Sequence, residues 1–453
     1  MDRLMVSVSG VRGMIGGTLT PHVACEFGCA FAAMLGAGKK VAIGRDTRTS
    51  GPMIRNAVAA GLLAGGVHVV DLGVVSTPGA AFMTARLGCD GGVVITASHN
   101  PIEYNGIKFL QPTGTGLSAG DAERLKQIWQ ARQWSFAGPL EQGEETRDGR
   151  TAGQHVSSVL SAVDIFAIAD KRFKVVLDSV NGAGCVEAPV LLGKLGCEYK
   201  HLNAEGTGRF AHPPEPVEEN LRELCQAVKA QRAAVGFAQD ADADRLAIVD
   251  EKGVFIGEEY TLALATAFVL RKRKGAIATN LATSRMVDDI AAAAGCRVVR
   301  SPTGEANVVD AMCREGCIFG GEGGGGVIEP RVVPVRDSLV GMAYLLQQMA
   351  ETGKTVSQLV AEIPRYVMVK TKQPCPQEAV ADILTAAREA FAGDADVRFN
   401  DQDGLRIDLA QAWVSVRASN TEPIIRVMGE ARDRATIETL IQRVRSVVQA
   451  VLA

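Results

Sequence analysis

The run Thr96-Ala97-Ser98-His99-Asn100-Pro101 sets a serine just beyond Gly91–Ile95, a short apolar stretch that reads as a buried strand. Ligands of open α/β sheets bind beyond the carboxyl ends of the strands, so Ser98 is a candidate nucleophile. A serine hydroxyl needs a base, a metal or a charged neighbour to react, and capping a helix is its usual alternative use. A second run supplies such a neighbour. Asp240-Ala241-Asp242-Ala243-Asp244-Arg245 follows the apolar residues 235–238. Carboxylates at i, i+2 and i+4 of an extended segment point to one side and repel one another unless a cation lies between them. An all-oxygen donor set suits a hard ion, Mg2+ first. A calcium-binding EF-hand would need glycine where Arg245 stands, and Leu246–Val249 reads as strand. A dehalogenase-type phosphatase would need a different continuation after its first strand, which leaves a solvated turn as the remaining alternative.

Three further loops carry groups suited to an anionic, hydroxylated ligand. Phe319-Gly320-Gly321-Glu322-Gly323-Gly324-Gly325-Gly326-Val327 lets backbone approach a ligand, and Glu322 can accept hydrogen bonds from two hydroxyls. Arg417-Ala418-Ser419-Asn420-Thr421-Glu422-Pro423, with Arg426 on the following strand, offers the guanidinium, hydroxyl and amide groups that hold a non-reacting phosphate. Gly10-Val11-Arg12-Gly13 and the 44–51 run would bring Arg12, Arg45 and Arg48 near the nucleophile. Each loop has an ordinary alternative: a surface loop, a turn between strands, or surface ion pairs.

The elements that must position these loops follow an alternating rhythm. Strands are expected at 40–44, 67–72 and 92–96, with helices at 52–65 and 78–87. The same pattern returns at Lys174–Asp178, 188–195 and 235–238, and again at 276–280, 286–294 and 297–299. Strand–helix–strand spacing of this kind makes sheets with helices on their faces. Beyond about residue 364 the rhythm changes to strands near 366–370, 404–408 and 413–416 and helices at 377–391 and from 435. The expected fold is therefore α/β, with three α/β units and a smaller C-terminal α+β unit. The expected divisions are 1–147, 148–250, 251–365 and 366–453, and the charged, Gly-rich 142–149 is read as a linker.

At 453 residues the chain exceeds a single core, since cores stop growing at roughly 250–300 residues. Its 47% hydrophobic and 22% charged content is that of a globular protein. A net charge of −3 gives no bulk attraction to nucleic acid or an anionic membrane, so an anion must be held by local clusters. No stretch approaches the ~18–20 apolar residues of a membrane span, and the start has no apolar core of signal-peptide length. Ten cysteines without a CxxC pair suit a reduced, cytoplasmic protein. Cys25/Cys29 and Cys313/Cys317 have helical spacing and read as small apolar residues rather than metal ligands.

Taken in order along essentially the whole chain, the loops resemble the α-D-phosphohexomutase family of phosphoglucomutases, phosphomannomutases and phosphoglucosamine mutases. That resemblance implies four domains around a central cleft. It makes Ser98 a phosphoserine and gives Mg2+ to Asp240, Asp242, Asp244 and the Ser98 phosphate. It also assigns proton transfer to Lys108, charge stabilisation to Arg12 and Arg245, and a catalytic place to His99 beside the serine. Sugar contacts fall to Glu322 and Gly324, and the distal phosphate to Arg417, Ser419, Asn420, Thr421 and Arg426. Glucose 1,6-bisphosphate or glucosamine 1,6-bisphosphate is the implied activator, and the chain is expected to be a monomer or homodimer. Many members carry Glu-x-Ser-Gly-His in the third loop. Here Gly324 and Gly326 stand at the Ser and His positions, and all six histidines lie at or before His212. That glycine form resembles an archaeal-type branch that includes phosphoglucosamine mutases, which implies interconversion of glucosamine 6-phosphate and 1-phosphate. Phosphomannomutase or phosphoglucomutase activity and a non-catalytic sugar-phosphate binder are the alternatives.

Overall fold

The structure, a computed structural model, describes residues 4–418 and 423–453. Four sheets follow one another along the chain. The first has seven strands in the order Met5–Ser7, Gly10–Met14, Tyr104–Leu110, Gly91–Ile95, Lys40–Arg45, His68–Val74 and Glu145–Arg147. Gly91–Ile95 runs parallel to Lys40–Arg45 and antiparallel to Tyr104–Leu110. All five of its residues are buried, as expected of a central strand covered on both faces. The stretch read as a linker is partly built into this sheet, because Glu145–Arg147 pairs with His68–Val74 as an edge strand. Its three side chains are exposed, so it carries no apolar alternation for a sequence reading to detect.

The second sheet orders Leu246–Val249, Val235–Gln239, Lys174–Asp178 and Glu198–Leu202. The third orders Val298–Ser301, Ile277–Asn280, Phe319–Glu322, Gly326–Glu329 and Val333–Arg336. Both are mixed, with an antiparallel pair beside parallel strands. The fourth sheet is antiparallel throughout and packs under helices Val380–Phe391 and Arg434–Leu452. Three α/β units and a smaller α+β unit are thus present as expected.

One apolar core is continuous through the first three units, from Val75 and Ala80 through Leu191 and Phe237 to Val327 and Leu339. Helix Ser338–Thr352 is apolar almost all round because it lies inside this core. The fourth unit has its own core around Ile383, Phe391, Ile425 and Ile437. A buried polar knot joins the first three units. His155 lies 2.7 Å from Glu187 and 2.8 Å from Asp337, and Glu187 also accepts from the Ser76 amide and hydroxyl. Among the described residues no helix is long and apolar enough to cross a membrane.

Candidate active site

Ser98 sits at the end of Gly91–Ile95 with φ +50°, a left-handed conformation that costs a non-glycine residue about 1 kcal/mol. The surrounding loop is over-determined. Arg48, wholly buried, donates to the carbonyls of Ser98, Asn100, Pro101 and Tyr104 at 2.6–2.9 Å. Its Nε lies 3.1 Å from Asp46, whose other donors are the Arg48 amide and the Thr96 hydroxyl. Thr96 Oγ1 in turn accepts the Ser98 amide at 2.8 Å. Arg48 is therefore a scaffold of the loop, with its donors spent on backbone. Arg45 bonds the Asp46 carbonyl at 3.0 Å, so of the arginines expected near the nucleophile Arg12 is the one that faces the carboxylates.

The aspartate run is a turn and not the extended segment expected from its spacing. Ala243 takes φ +56°, and Asp240 Oδ1 accepts the Asp244 and Arg245 amides at 3.1 and 3.2 Å. Curling the chain around Asp240 brings an oxygen from each of Asp240, Asp242 and Asp244 within 4.8 Å of one another. Ser98 Oγ donates to Asp240 Oδ2 at 2.7 Å, joining the two loops across 142 residues. The outer oxygens are held: Lys108 Nζ lies 2.7 Å from Asp242 Oδ2 and 3.4 Å from Asp244 Oδ2, and Thr77 Oγ1 donates to Asp242 at 2.6 Å. Asp242 Oδ1 and Asp244 Oδ1 are buried without any hydrogen-bond partner. Buried anions left this way need a cation, and an all-oxygen set of three carboxylates fits a hard divalent ion.

The electrostatics agree with that division. Burial, then Asp242 and Asp244, push the Asp240 carboxyl well above its ordinary range. Burial also opposes the Asp242 charge, but the Lys108 ammonium and the Thr77 hydroxyl outweigh it and hold Asp242 well below that range. Lys108 is likewise disfavoured by burial, yet Asp242, Asp244 and Glu305 keep its pKa raised, so it stands as an ammonium. His99, with Nδ1 3.2 Å from Ser98 Oγ, is pushed down to about 2 by burial and by Arg245, Arg12 and Arg336. It is a neutral imidazole in this arrangement. Burial lowers Arg12, Asp242 opposes this, and Arg245 adds like-charge repulsion. Arg12 donates to Asn100 at 3.2 Å, whereas Arg245 Nε is buried with no partner, an unspent donor suited to an anion.

Glu322 ends strand Phe319–Glu322. Its Oε1 accepts from Asn280 Nδ2 at 2.7 Å and the Gly304 amide at 3.1 Å, and its Oε2 from Arg336 at 2.8 Å. The Gly325 carbonyl accepts the Leu246 amide at 2.9 Å, fastening the glycine loop to the aspartate turn. A Cβ at Gly324 would lie 3.6 Å from Arg245 Nη1, an ordinary contact, so that position is open toward the arginine. In the fourth unit Arg417 and Arg426 face each other on paired antiparallel strands. Arg417 donates to Asp403 at 3.3 Å, and Asp403 also accepts the Thr303 amide at 3.0 Å, so this edge touches the third unit. Ser419, Asn420 and Thr421 lie outside the described residues.

Sequence reasoning missed Thr77, Asn280, Glu305, Asp403 and Arg336. Thr77 and Glu305 open helices, Asn280 and Arg336 close strands and Asp403 lies in a loop, places where a single polar residue carries no periodic signal. Cys25 and Cys29 are free thiols in helix Pro21–Leu35, and the aspartate triplet is the one metal-capable group among the described residues.

Models of the four parts of one family match the chain in order. They are phosphoglucomutase/phosphomannomutase alpha/beta/alpha domain I over residues 3–135, domain II over 154–253, domain III over 257–366 and the C-terminal domain over 366–447. The chain belongs to the phosphoglucomutase/phosphomannomutase family. One relative of this phosphohexomutase, a phosphoglucomutase/phosphomannomutase of Thermococcus kodakarensis, is 39% identical with 93% of each chain covered. A probable phosphoglucosamine mutase of Methanopyrus kandleri is 38% identical over 98% of both chains. Among solved structures, a phosphoglucomutase/phosphomannomutase family protein from Burkholderia thailandensis superposes with TM-score 0.87 at 29% identity, covering 99% of this chain and 98% of that one.

Proposed function

We propose that this phosphohexomutase interconverts glucosamine 6-phosphate and glucosamine 1-phosphate through a phosphate carried on Ser98. The observation that carries the reading is the 2.7 Å bond from Ser98 Oγ to Asp240, at the mouth of a turn in which Asp242 Oδ1 and Asp244 Oδ1 have no partner. A nucleophile so placed suits phosphoryl transfer, where positioning and charge neutralisation supply most of the catalysis.

Asp240, Asp242 and Asp244 would hold Mg2+ together with the Ser98 phosphate. When bound, the ion supplies positive charge to the phosphoryl oxygens. Arg12 and Arg245 face the same volume and offset the charge that develops on those oxygens. Lys108 is held as an ammonium and can give a proton to the departing oxygen. His99 is neutral and hydrogen-bonds to the serine, orienting it without adding charge. Glu322 accepts from sugar hydroxyls beside Gly324, while Arg417, Arg426 and residues 419–421 hold the phosphate that is not reacting. Phospho-Ser98 gives its group to one end of the sugar, the bisphosphate turns over, and the phosphate from the other end returns to Ser98. The distal site must therefore accept a dianion at either sugar position. Glucose 1,6-bisphosphate or glucosamine 1,6-bisphosphate would restore the phosphoserine after loss. Ten cysteines, all free, suit a reducing cytoplasm.

Intact-mass measurement after incubation with glucose 1,6-bisphosphate and Mg2+ tests the mechanism, with one added phosphate on Ser98 expected and none sinking it. Comparison of kcat/KM for glucosamine, glucose and mannose 6-phosphates tests the sugar. Glucosamine 6-phosphate ranking last would replace this choice by phosphoglucomutase or phosphomannomutase activity.

A further inference from the structure

Arg336 ends strand Val333–Arg336, the edge of the third sheet, and no sequence signal marked it. The strand register explains where it goes. Glu322 pairs with Gly326 on the neighbouring strand, and Ile328, two residues on, pairs with Arg336. Residues two apart share a face of a sheet, so Glu322, Gly326 and Arg336 lie on one surface, with Gly326 between the other two. The arginine stem runs over the glycine. A Cβ at Gly326 would meet Arg336 Cδ at 2.2 Å and Cγ at 2.7 Å, a collision with the stem rather than with a movable tip. Beyond the glycine, Nη1 reaches Glu322 Oε2 at 2.8 Å and Nη2 reaches Asp244 Oδ2 at 2.7 Å. Nε lies 2.8 Å from Glu305.

We infer that Arg336 is a positioning residue that ties the metal-side carboxylate Asp244 to the sugar-side carboxylate Glu322, in the space that Gly326 leaves empty. The two bonds have separate effects. On Asp244 the guanidinium holds Oδ2 and leaves Oδ1, the oxygen without a partner, turned to the cation. On Glu322 it completes a set with Asn280 and Gly304 that fixes the carboxylate plane and leaves lone-pair capacity on Oε2. Only a planar fork spans both. Gly326 stands where many relatives carry a histidine. Here a cation enters from the next strand instead, and the glycine is the condition for its passage. The sugar role of Glu322 rests on the mutase reading, whereas the tie to Asp244 does not.

The test compares the wild type with Arg336→Met, Arg336→Lys and Gly326→Ala. Mn2+ binding is read by electron paramagnetic resonance, and glucosamine 6-phosphate and glucose 6-phosphate binding by calorimetry, so neither readout depends on turnover. Outer partners of metal ligands typically contribute roughly 10–100-fold, so Arg336→Met is expected to weaken Mn2+ and sugar phosphate binding by about tenfold or more each. Arg336→Lys should recover one affinity and not both, because a single ammonium cannot fork. A folded Arg336→Met protein in which either affinity stays within about twofold of wild type overturns the tie. If Arg336→Met does not fold, Gly326→Ala decides. It keeps the arginine but displaces its stem, and paired weakening supports the inference while unchanged affinities overturn it. A wild type that binds both ligands but turns over none of the 6-phosphates removes the mutase reading alone, and the comparison of variants still decides the tie.

Discussion

Ser98 and Arg48 lie in two loops joined by the bond from the Arg48 guanidinium to the Ser98 carbonyl, and they do opposite things. Ser98 presents its hydroxyl to Asp240, so Ser98→Ala should remove the phosphate carrier and lower kcat by roughly 10³-fold or more, with folding intact. Turnover and intact mass check this together, and near-wild-type activity in protein free of contaminating mutase would refute the role. Arg48 presents nothing to a ligand. Its guanidinium satisfies four carbonyls and neutralises Asp46, which burial still pushes up to about 6. Arg48→Met would strand a buried carboxylate and four carbonyls, a loss of about 3–5 kcal/mol in denaturant unfolding. An equal loss in kcat but no loss of stability would mean that Arg48 acts on substrate after all.

At the scale of elements, the site is made where strand ends meet turns. The strand Gly91–Ile95 was legible because a central strand is an unbroken apolar run. The aspartate run was legible as chemistry but not as shape. Alternating Asp and Ala reads as extended chain, yet Asp240 pulls the following amides onto its own Oδ1 and curls the segment, and this local capture outweighs the period-2 pattern. The edge strand Glu145–Arg147 carried no pattern at all, since polar residues on a sheet edge look like those of a linker. The fourth unit docks through Arg285, whose amide bonds Glu430 and whose guanidinium bonds Asp408 and the Leu409 and Ala410 carbonyls. Arg285→Ala keeps the amide bond and removes the rest. It should raise KM severalfold while phosphorylation of Ser98 by bisphosphate is retained as a covalent end point, because Ser98 lies in the first unit. Steady-state kinetics and intact mass check the split, and an unchanged KM would show that these bonds do not hold the proposed distal phosphate site in place.

At the scale of the molecule, the first three units are one packed body and the fourth has its own core. The knot of His155 with Glu187 and Asp337 lies inside that body. Burial disfavours the imidazolium, but Asp337 and Glu187 outweigh it and raise its pKa to about 10. A histidine whose folded pKa is raised stabilises the fold fully below its unfolded value, near 6.5, and loses that contribution as pH rises through about 10. His155→Gln should therefore destabilise by about 3–5 kcal/mol at pH 6, since it leaves two buried carboxylates without their cation. The gap between variant and wild type should narrow from pH 7 to pH 10 in denaturant titrations, and a gap that widens over that window would contradict the charge assignment.

The sequence by itself determined the α/β rhythm, the candidate serine, the aspartate triplet and the family to which the chain belongs. Those signals are local: a strand is apolar along its own length, and a loop's donors are written in consecutive residues. Only the tertiary structure decided that Arg48 serves the loop and not a ligand, and that Arg336 crosses Gly326 to join Asp244 with Glu322. Both arginines act on residues far away in the chain, at positions set by strand register and by the absence of a Cβ. Neither register nor empty volume is carried by any one segment. They exist only once the sheets have formed and packed.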